Sequence, residues 1–207
     1  MAEDWSDKLA IREVLDNWVI WSDAGDWEKF KTCWHDGADM SATWFEASAE
    51  DFSRGRREGW EKGVSILHFL GGSTIELAGN RAIAQTKMTI SQRAAVDSVE
   101  CDVVCTGRFY DFFEKRGGRW AIARRRCIYE KDRMDPVDPS QTIHLDRKLL
   151  ESFPIGYRHL AYLQTKIGYK VEGSPRAGLK GPAVQALYAQ GRDWLAGKPL
   201  APRGTVA

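Results

Sequence analysis

Between residues 6 and 24 the apolar positions Ile11, Val14, Leu15, Trp18 and Val19, continued by Ser22, recur at three- and four-residue spacing, which predicts an amphipathic helix. Ser6 or Asp7 is placed to cap its start. Arg12, Glu13, Asp16 and Asn17 make up the wet face. Gly25 breaks the helix, and Asp26 can cap a second, shorter one carrying Trp27, Phe30 and Trp34. After Gly37 the period falls to two. Met40, Ala42 and Trp44 alternate with Ser41, Thr43 and Phe45, so a strand is expected over 38–46. A polar stretch over 48–57 follows, then a helix is expected over 59–67, weakened by Gly63.

Three long strands are predicted over 68–78, 81–97 and 99–115, with turns at Ala78-Gly79-Asn80 and Asp97-Ser98. A fourth, over 119–131, joins through Lys115-Arg116-Gly117-Gly118, a hairpin signal. Helices first and an antiparallel meander afterwards indicate an α+β fold. Met134 to Pro139 is a turn-rich break. Beyond it, short helical patterns lie near 144–151, 157–166 and 182–195, with a Gly- and Pro-bearing segment from Gly173 to Gly181. The aromatic residues Phe153, Tyr157, Tyr162, Tyr169, Tyr188 and Trp194 argue that this tail docks on something. Residues 1–133 are therefore read as one domain, and 134–207 as an extension packing on it or on a neighbouring subunit.

Composition narrows the choice of partners. Lys plus Arg number 30 against 29 for Asp plus Glu, so a net charge of +1 supplies no global field toward nucleic acid or an anionic membrane. No apolar run reaches the roughly 18 residues a spanning helix needs, and the acidic start lacks the pattern of a secretory signal, so a cytoplasmic location is expected. Cys33, Cys101, Cys105 and Cys127 lack Cys-x-x-Cys spacing and read as core thiols. Arg54, Arg56 and Arg57 with Lys62 could form an anion site, with a solvated basic face as the default; His144 and His159 lie in the tail, where residues 156–160 could cap a pocket mouth, with a surface helix as the default. Walker, Gly-x-Gly-x-x-Gly, Gly-x-Ser-x-Gly and His-Glu-x-x-His motifs are missing from the sequence.

One ordered set of residues changes the picture. Trp18, Asp23, Asp26 and Trp27 lie on and just after the first helix. His68 opens a strand running to Glu76-Leu77-Ala78-Gly79, and Gly107-Arg108-Phe109-Tyr110-Asp111 precedes Gly118-Arg119-Trp120. Over residues 6–131 this order resembles the SnoaL-like branch of the nuclear transport factor 2-like superfamily. The resemblance implies a cone-shaped α+β barrel, with N-terminal helices packed in a curved, mostly antiparallel sheet. It also implies an aspartate–histidine dyad inside the cone, at Asp23 and His68. In relatives similar to hexachlorocyclohexane dehydrochlorinase an Arg follows the last-strand Trp by five residues, and Trp120 to Arg125 reproduces that spacing. The family's usual aromatic on the first helix is Tyr. Here it is Trp18, which lacks the hydroxyl used by scytalone dehydratase-like members.

Asp23 sits near the C-terminal end of its helix, where the dipole opposes a carboxylate, so local stability does not explain it. A neutral imidazole accepts a proton on one nitrogen only while the other keeps its hydrogen. A carboxylate at about 2.6–3.2 Å fixes that tautomer. Asp23 would orient His68, and Arg125 would stabilise developing negative charge. Alternation places Arg125 with Ala121, Ala123, Cys127 and Tyr129, and Arg124 and Arg126 with Trp120, Ile122 and Ile128. Trp18, Trp44 and Tyr129 are expected to contact substrate.

The resemblance thus implies a cofactor-independent lyase, of dehydratase or retro-aldol type, acting on a small hydrophobic aromatic or alicyclic molecule; lignin-derived aromatic diols are one such class. No nucleic acid, membrane or metal is expected, and a homo-oligomer, dimer or trimer, is. An isomerase would use the same dyad. Two other classes stand beside it: a non-catalytic ligand- or partner-binding module, and the small subunit of an aromatic-ring dioxygenase.

Overall fold

The computed structural model describes residues 2–171 and 176–201; part of the predicted Gly- and Pro-bearing segment, 173–175, lies outside them. Helix α1 spans Ala2–Ala24 and α2 spans Trp27–Lys31. Strands β1 (Trp34–Ala42) and β2 (Phe45–Ser48) follow, then α3 (Ala49–Glu61). The long strands are β3 (Ser65–Ala78), β4 (Arg81–Val96), β5 (Val99–Arg116) and β6 (Arg119–Pro136). Helices α4 (Arg147–Glu151) and α5 (Arg158–Lys166), the short β7 (Ala177–Gly178) and α6 (Pro182–Leu195) complete the chain. The architecture is the expected α+β cone: a curved, unclosed sheet in the order β2-β1-β6-β5-β4-β3, with β7 on β6.

β1 runs parallel to β6 and all other pairs along that path are antiparallel. The parallel pairing brings Met40 beside Arg125 and lets β1 close one side of the cone. Local periodicity carries no information about so distant a pairing.

The first helix begins four residues earlier than its predicted cap. Asp7 caps nothing; its carboxylate accepts from the Trp120 indole and from Lys115 on the sheet. The second correction is larger. The helix expected over 59–67 lies over 49–61, started by Ser48, whose hydroxyl accepts the Asp51 N–H. His68 is consequently the fourth residue of β3, not its first.

Irregularities in the strands decide which side chains face inward. Gly71-Gly72 marks a register shift between β3 and β4, and Arg12 of α1 donates to the Gly71 carbonyl and the Ser73 hydroxyl there. In β6 a bulge at Ala123 corrects the alternation read from the sequence: the register steps from Ile122 opposite Phe113 to Arg124 opposite Phe112. Side chains on either side of a bulge swap faces. Trp120, Ile122, Cys127 and Tyr129 therefore share the inner core, and Ala123 packs outside with Ile128.

A second shift, at Gly107, presses β5 against β6. A Cβ there would lie 2.1 Å from the Ile128 carbonyl oxygen. Gly107→Ala is expected to destabilise the fold by about 1–3 kcal/mol or more through forced separation of the strands, read as a lower urea midpoint at unchanged m-value.

The inner core joins α1, α2, α3 and the inner sheet face to Leu160, Ala161, Tyr162 and Leu163 of α5. On the opposite face, Val184, Leu187 and Trp194 of α6 cover Ile83, Tyr110, Phe112 and Ile128. Contact is close enough there that Gly191 lies against the Tyr110 hydroxyl, with no room for a methyl group.

Candidate active site

Asp23 ends the buried stripe of α1 and projects toward β3. Its Oδ1 lies 2.8 Å from His68 Nδ1, and its Oδ2 accepts the His68 backbone N–H at 2.6 Å. Two contacts from one residue to one carboxylate fix both the ring and the strand that carries it. The hydrogen shared with Asp23 then resides on Nδ1. This leaves Nε2 unprotonated and without a hydrogen bond among the described residues.

His68 is only 8% exposed at its side chain and Asp23 14%. Burial lowers the His68 pKa below its ordinary 6.5, opposed by the bond and charge of Asp23 and assisted by Arg56 and Arg125. The ring is therefore neutral at pH 7, as a base must be. The same shift ties stability to pH. As pH falls below 6.5 the unfolded chain binds this proton before the folded one, so stability declines down to the folded pKa. Unfolding free energy measured from pH 7.5 to 5 is expected to fall less steeply in His68→Gln than in the native chain.

Trp18 stands behind the ring. It is fully buried, packs edge-on to His68 at 5.3 Å and contacts Phe30, Trp34, Phe52 and Phe109. Expected to touch substrate, it is enclosed by core side chains and does not line the cavity.

Arg125 lies deeper still. Its guanidinium forms a two-point ion pair with Asp111, at 2.6 and 2.9 Å, and sits 4.2 Å from the Trp18 ring centre and 4.0 Å from that of Phe109. It too is absent from the cavity lining. Arg124 and Arg126 meet the buried Asp39, so the Arg124-Arg125-Arg126 run is not a surface patch.

Beside the dyad is a narrow cavity of about 30 Å³, lined by His68 and, among others, Trp44, Phe52, Phe109, Tyr129 and Leu160. That holds about two or three waters, at ~10–15 Å³ of such volume each. The cone is thus largely filled by its own side chains, and a ring-sized guest must displace some of them. Trp44 and Tyr129 line the cavity.

Two groups there were not anticipated. Arg56, read from the sequence as solvated, projects inward from α3 and is 3% exposed, whereas Arg54 and Arg57 pair with Asp51 and Glu61 on the outer side. The signal for it was the stripe Ala49, Phe52, Ser53, Arg56 and Gly59, visible once the helix is placed over 49–61. Gln164 of α5, a helix read as lying on the surface, accepts from the Thr43 hydroxyl and donates to Gln92. Helix α5 is held there by Asp132, which accepts the His159 and Leu160 N–H groups and contacts His159 Nδ1.

All four cysteines are free and buried, and burial pushes Cys33 up to about 12. Among the described residues no cluster of His, Cys, Asp and Glu could hold a metal. No helix of the described residues is long and apolar enough to cross a membrane.

The fold and the order of these residues define one class, and the chain belongs to the SnoaL-like domain family of the nuclear transport factor 2-like superfamily, matched over residues 3–126. It is 35% identical over 204 residues to a PEP2-like protein of Fusarium vanettenii, across 94% of this chain and 88% of that one. It is 38% identical over 169 residues to Pea pathogenicity protein 2 of the same fungus, across 80% of this chain and 72% of that one. Among solved structures, hexachlorocyclohexane dehydrochlorinase LinA-type3 from Novosphingobium barchaimii superposes with a TM-score of 0.56 at 11% identity, over 70% of this chain and 99% of that chain. At that identity the likeness is one of fold.

Proposed function

We propose that this protein is a cofactor-independent lyase in which His68, oriented by Asp23, removes a proton from a small hydrophobic substrate. The observation that carries the reading is the 2.8 Å contact of Asp23 with Nδ1, which leaves Nε2 of a desolvated, neutral imidazole as the acceptor. The match to the SnoaL-like domain family, and a fold shared with a dehydrochlorinase, support it.

In the proposed step Nε2 takes a proton bound to carbon, the electron pair left behind forms a new double bond, and a leaving group departs from the neighbouring carbon. The imidazolium returns its proton to a departing hydroxide, giving water. In a retro-aldol variant Nε2 takes the proton of a hydroxyl, the new carbonyl forms as the adjacent carbon–carbon bond breaks, the electron pair of that bond stays on the remaining fragment, and the imidazolium returns its proton there. Arg125, neutralised by Asp111 and separated from the cavity, tunes this charge from behind Trp18 and does not touch the reacting atoms.

The test is a panel of β-hydroxy carbonyl, halogenated alicyclic and aryl diol compounds. It is followed by mass spectrometry for loss of water, hydrogen halide or formaldehyde. Product formed by the native chain and abolished by His68→Gln supports the reading; turnover untouched by that substitution refutes it. The acid limb of kcat/KM is expected below pH 6.5, because the His68 pKa is lowered, and a limb above that value would assign the base to another group.

The filled cone favours a second reading, a module that binds a ligand without converting it. Saturable binding to a chain that turns over nothing in the panel would bring it forward.

A further inference from the structure

Arg56 has a position that ordinary packing does not explain. Its side chain is 3% exposed and lines the same cavity as His68. Its Nε and Nη1 are buried and find no hydrogen-bond partner among the described residues. Nη2 has only long contacts, 3.4 Å to the Ile66 carbonyl and 3.5 Å to Asp23 Oδ1. Asp23 is its counter-charge but stands at that longer distance, while the same carboxylate holds His68 at 2.6 and 2.8 Å and leaves Nε and Nη1 of Arg56 unserved.

A guanidinium remains charged even though burial lowers the Arg56 pKa below its ordinary value. The protein therefore holds a desolvated cation with unused donors, an arrangement that costs stability unless something completes it. Contrast Arg125, equally buried, whose partner Asp111 is supplied by the neighbouring strand.

Three features define what would complete it. The charge is present before any reaction, so the best complement is a negative charge that the ligand carries permanently. The cavity supplies one cation, too few for a phosphate dianion, which calls for several donors. The remaining walls are mostly apolar, including Met40, Phe52, Ile66, Ile90 and Phe109, with amide and hydroxyl groups at Gln164, Thr43 and Tyr129.

We propose that Arg56 is an anchoring residue for a hydrophobic monocarboxylate, whose carboxylate meets the guanidinium and whose apolar body lies beside His68. This rests on the reading of the cavity as a ligand site. It narrows the substrate to a small aromatic or alicyclic acid, placing the acid group and the proton to be removed on the same side of the molecule. Seating a ring requires the roof formed by Trp44 and Leu160 to shift.

Calorimetric titration of the full chain with sodium acetate, cyclohexanecarboxylate and benzoate, against the three matching amides at equal ionic strength, tests the proposal directly. At least one carboxylate is expected to bind saturably and its amide much more weakly. Arg56→Gln should weaken that carboxylate about 30-fold or more, by removing one member of a buried charge pair. If no carboxylate binds saturably, if amides bind as well, or if folded Arg56→Gln keeps the affinity, the proposal is wrong. Should Arg56→Gln fail to fold, the contrast between carboxylate and amide in the native chain decides. A carboxylate held through Arg56 but never converted would leave this site standing and remove the lyase. Turnover of neutral compounds indifferent to Arg56→Gln would do the reverse.

Discussion

Asp23→Asn is expected to lower kcat/KM on the substrate about 10²- to 10⁴-fold while the chain stays folded. The amide oxygen can still accept the His68 backbone N–H, so the strand stays tethered to α1. The amide NH₂ then faces Nδ1, where the carboxylate had accepted a hydrogen. The ring must turn its lone pair to the amide and carry its proton on Nε2, which abolishes the base. Burial would also lower the imidazole pKa unopposed, since the bond and charge of Asp23 are what raise it. Loss of kcat with little change in KM is the signature of this tautomer error. An equal loss in both, or a fall below about threefold, would show that Asp23 does no more than hold two elements together.

Asp111→Ala is expected to have the largest effect on stability, about 3–5 kcal/mol, because it strands the Arg125 guanidinium with no counter-charge in the core. For a chain of this size that corresponds to a fall in Tm of roughly 10 °C. Burial raises the Asp111 carboxyl above its ordinary range in spite of Arg125, and taking two charges out of water costs much of what their attraction returns. Removing both charges should accordingly be far milder than removing one. Thermal unfolding of Asp111→Leu, Arg125→Met and the double variant forms a cycle; a double variant less stable than Asp111→Ala would overturn this account.

The long strands were legible because their alternation is strict and their turns carry Gly, Asn and Asp. α3 was not: its inward stripe holds only one large apolar residue, Phe52, among Ala49, Ser53, Arg56 and Gly59, so no hydrophobic period announces it. The misplaced helix concealed Arg56. Asp23 and His68 were found from their order in a family pattern, and no local rule would have joined residues 45 positions apart. The bulge at Ala123 was invisible for another reason. It depends on how two strands meet, and it silently reverses which neighbours Arg125 keeps.

Asp132 fastens α5 to β6 from a position near the end of the last long strand, and Gln164 then locks to Gln92 and Thr43 across the interior. The family pattern stops at residue 126, yet the fourth wall of the core is built by residues 158–166. A fragment cut after residue 133 would therefore expose Cys105, Val103 and Tyr129 and leave Gln92 without its mate. Such a fragment is expected to aggregate or to remain molten, with far-ultraviolet signal but no cooperative melt. On that outcome the smallest foldable unit of this chain would be longer than the motif by which its kinship is recognised.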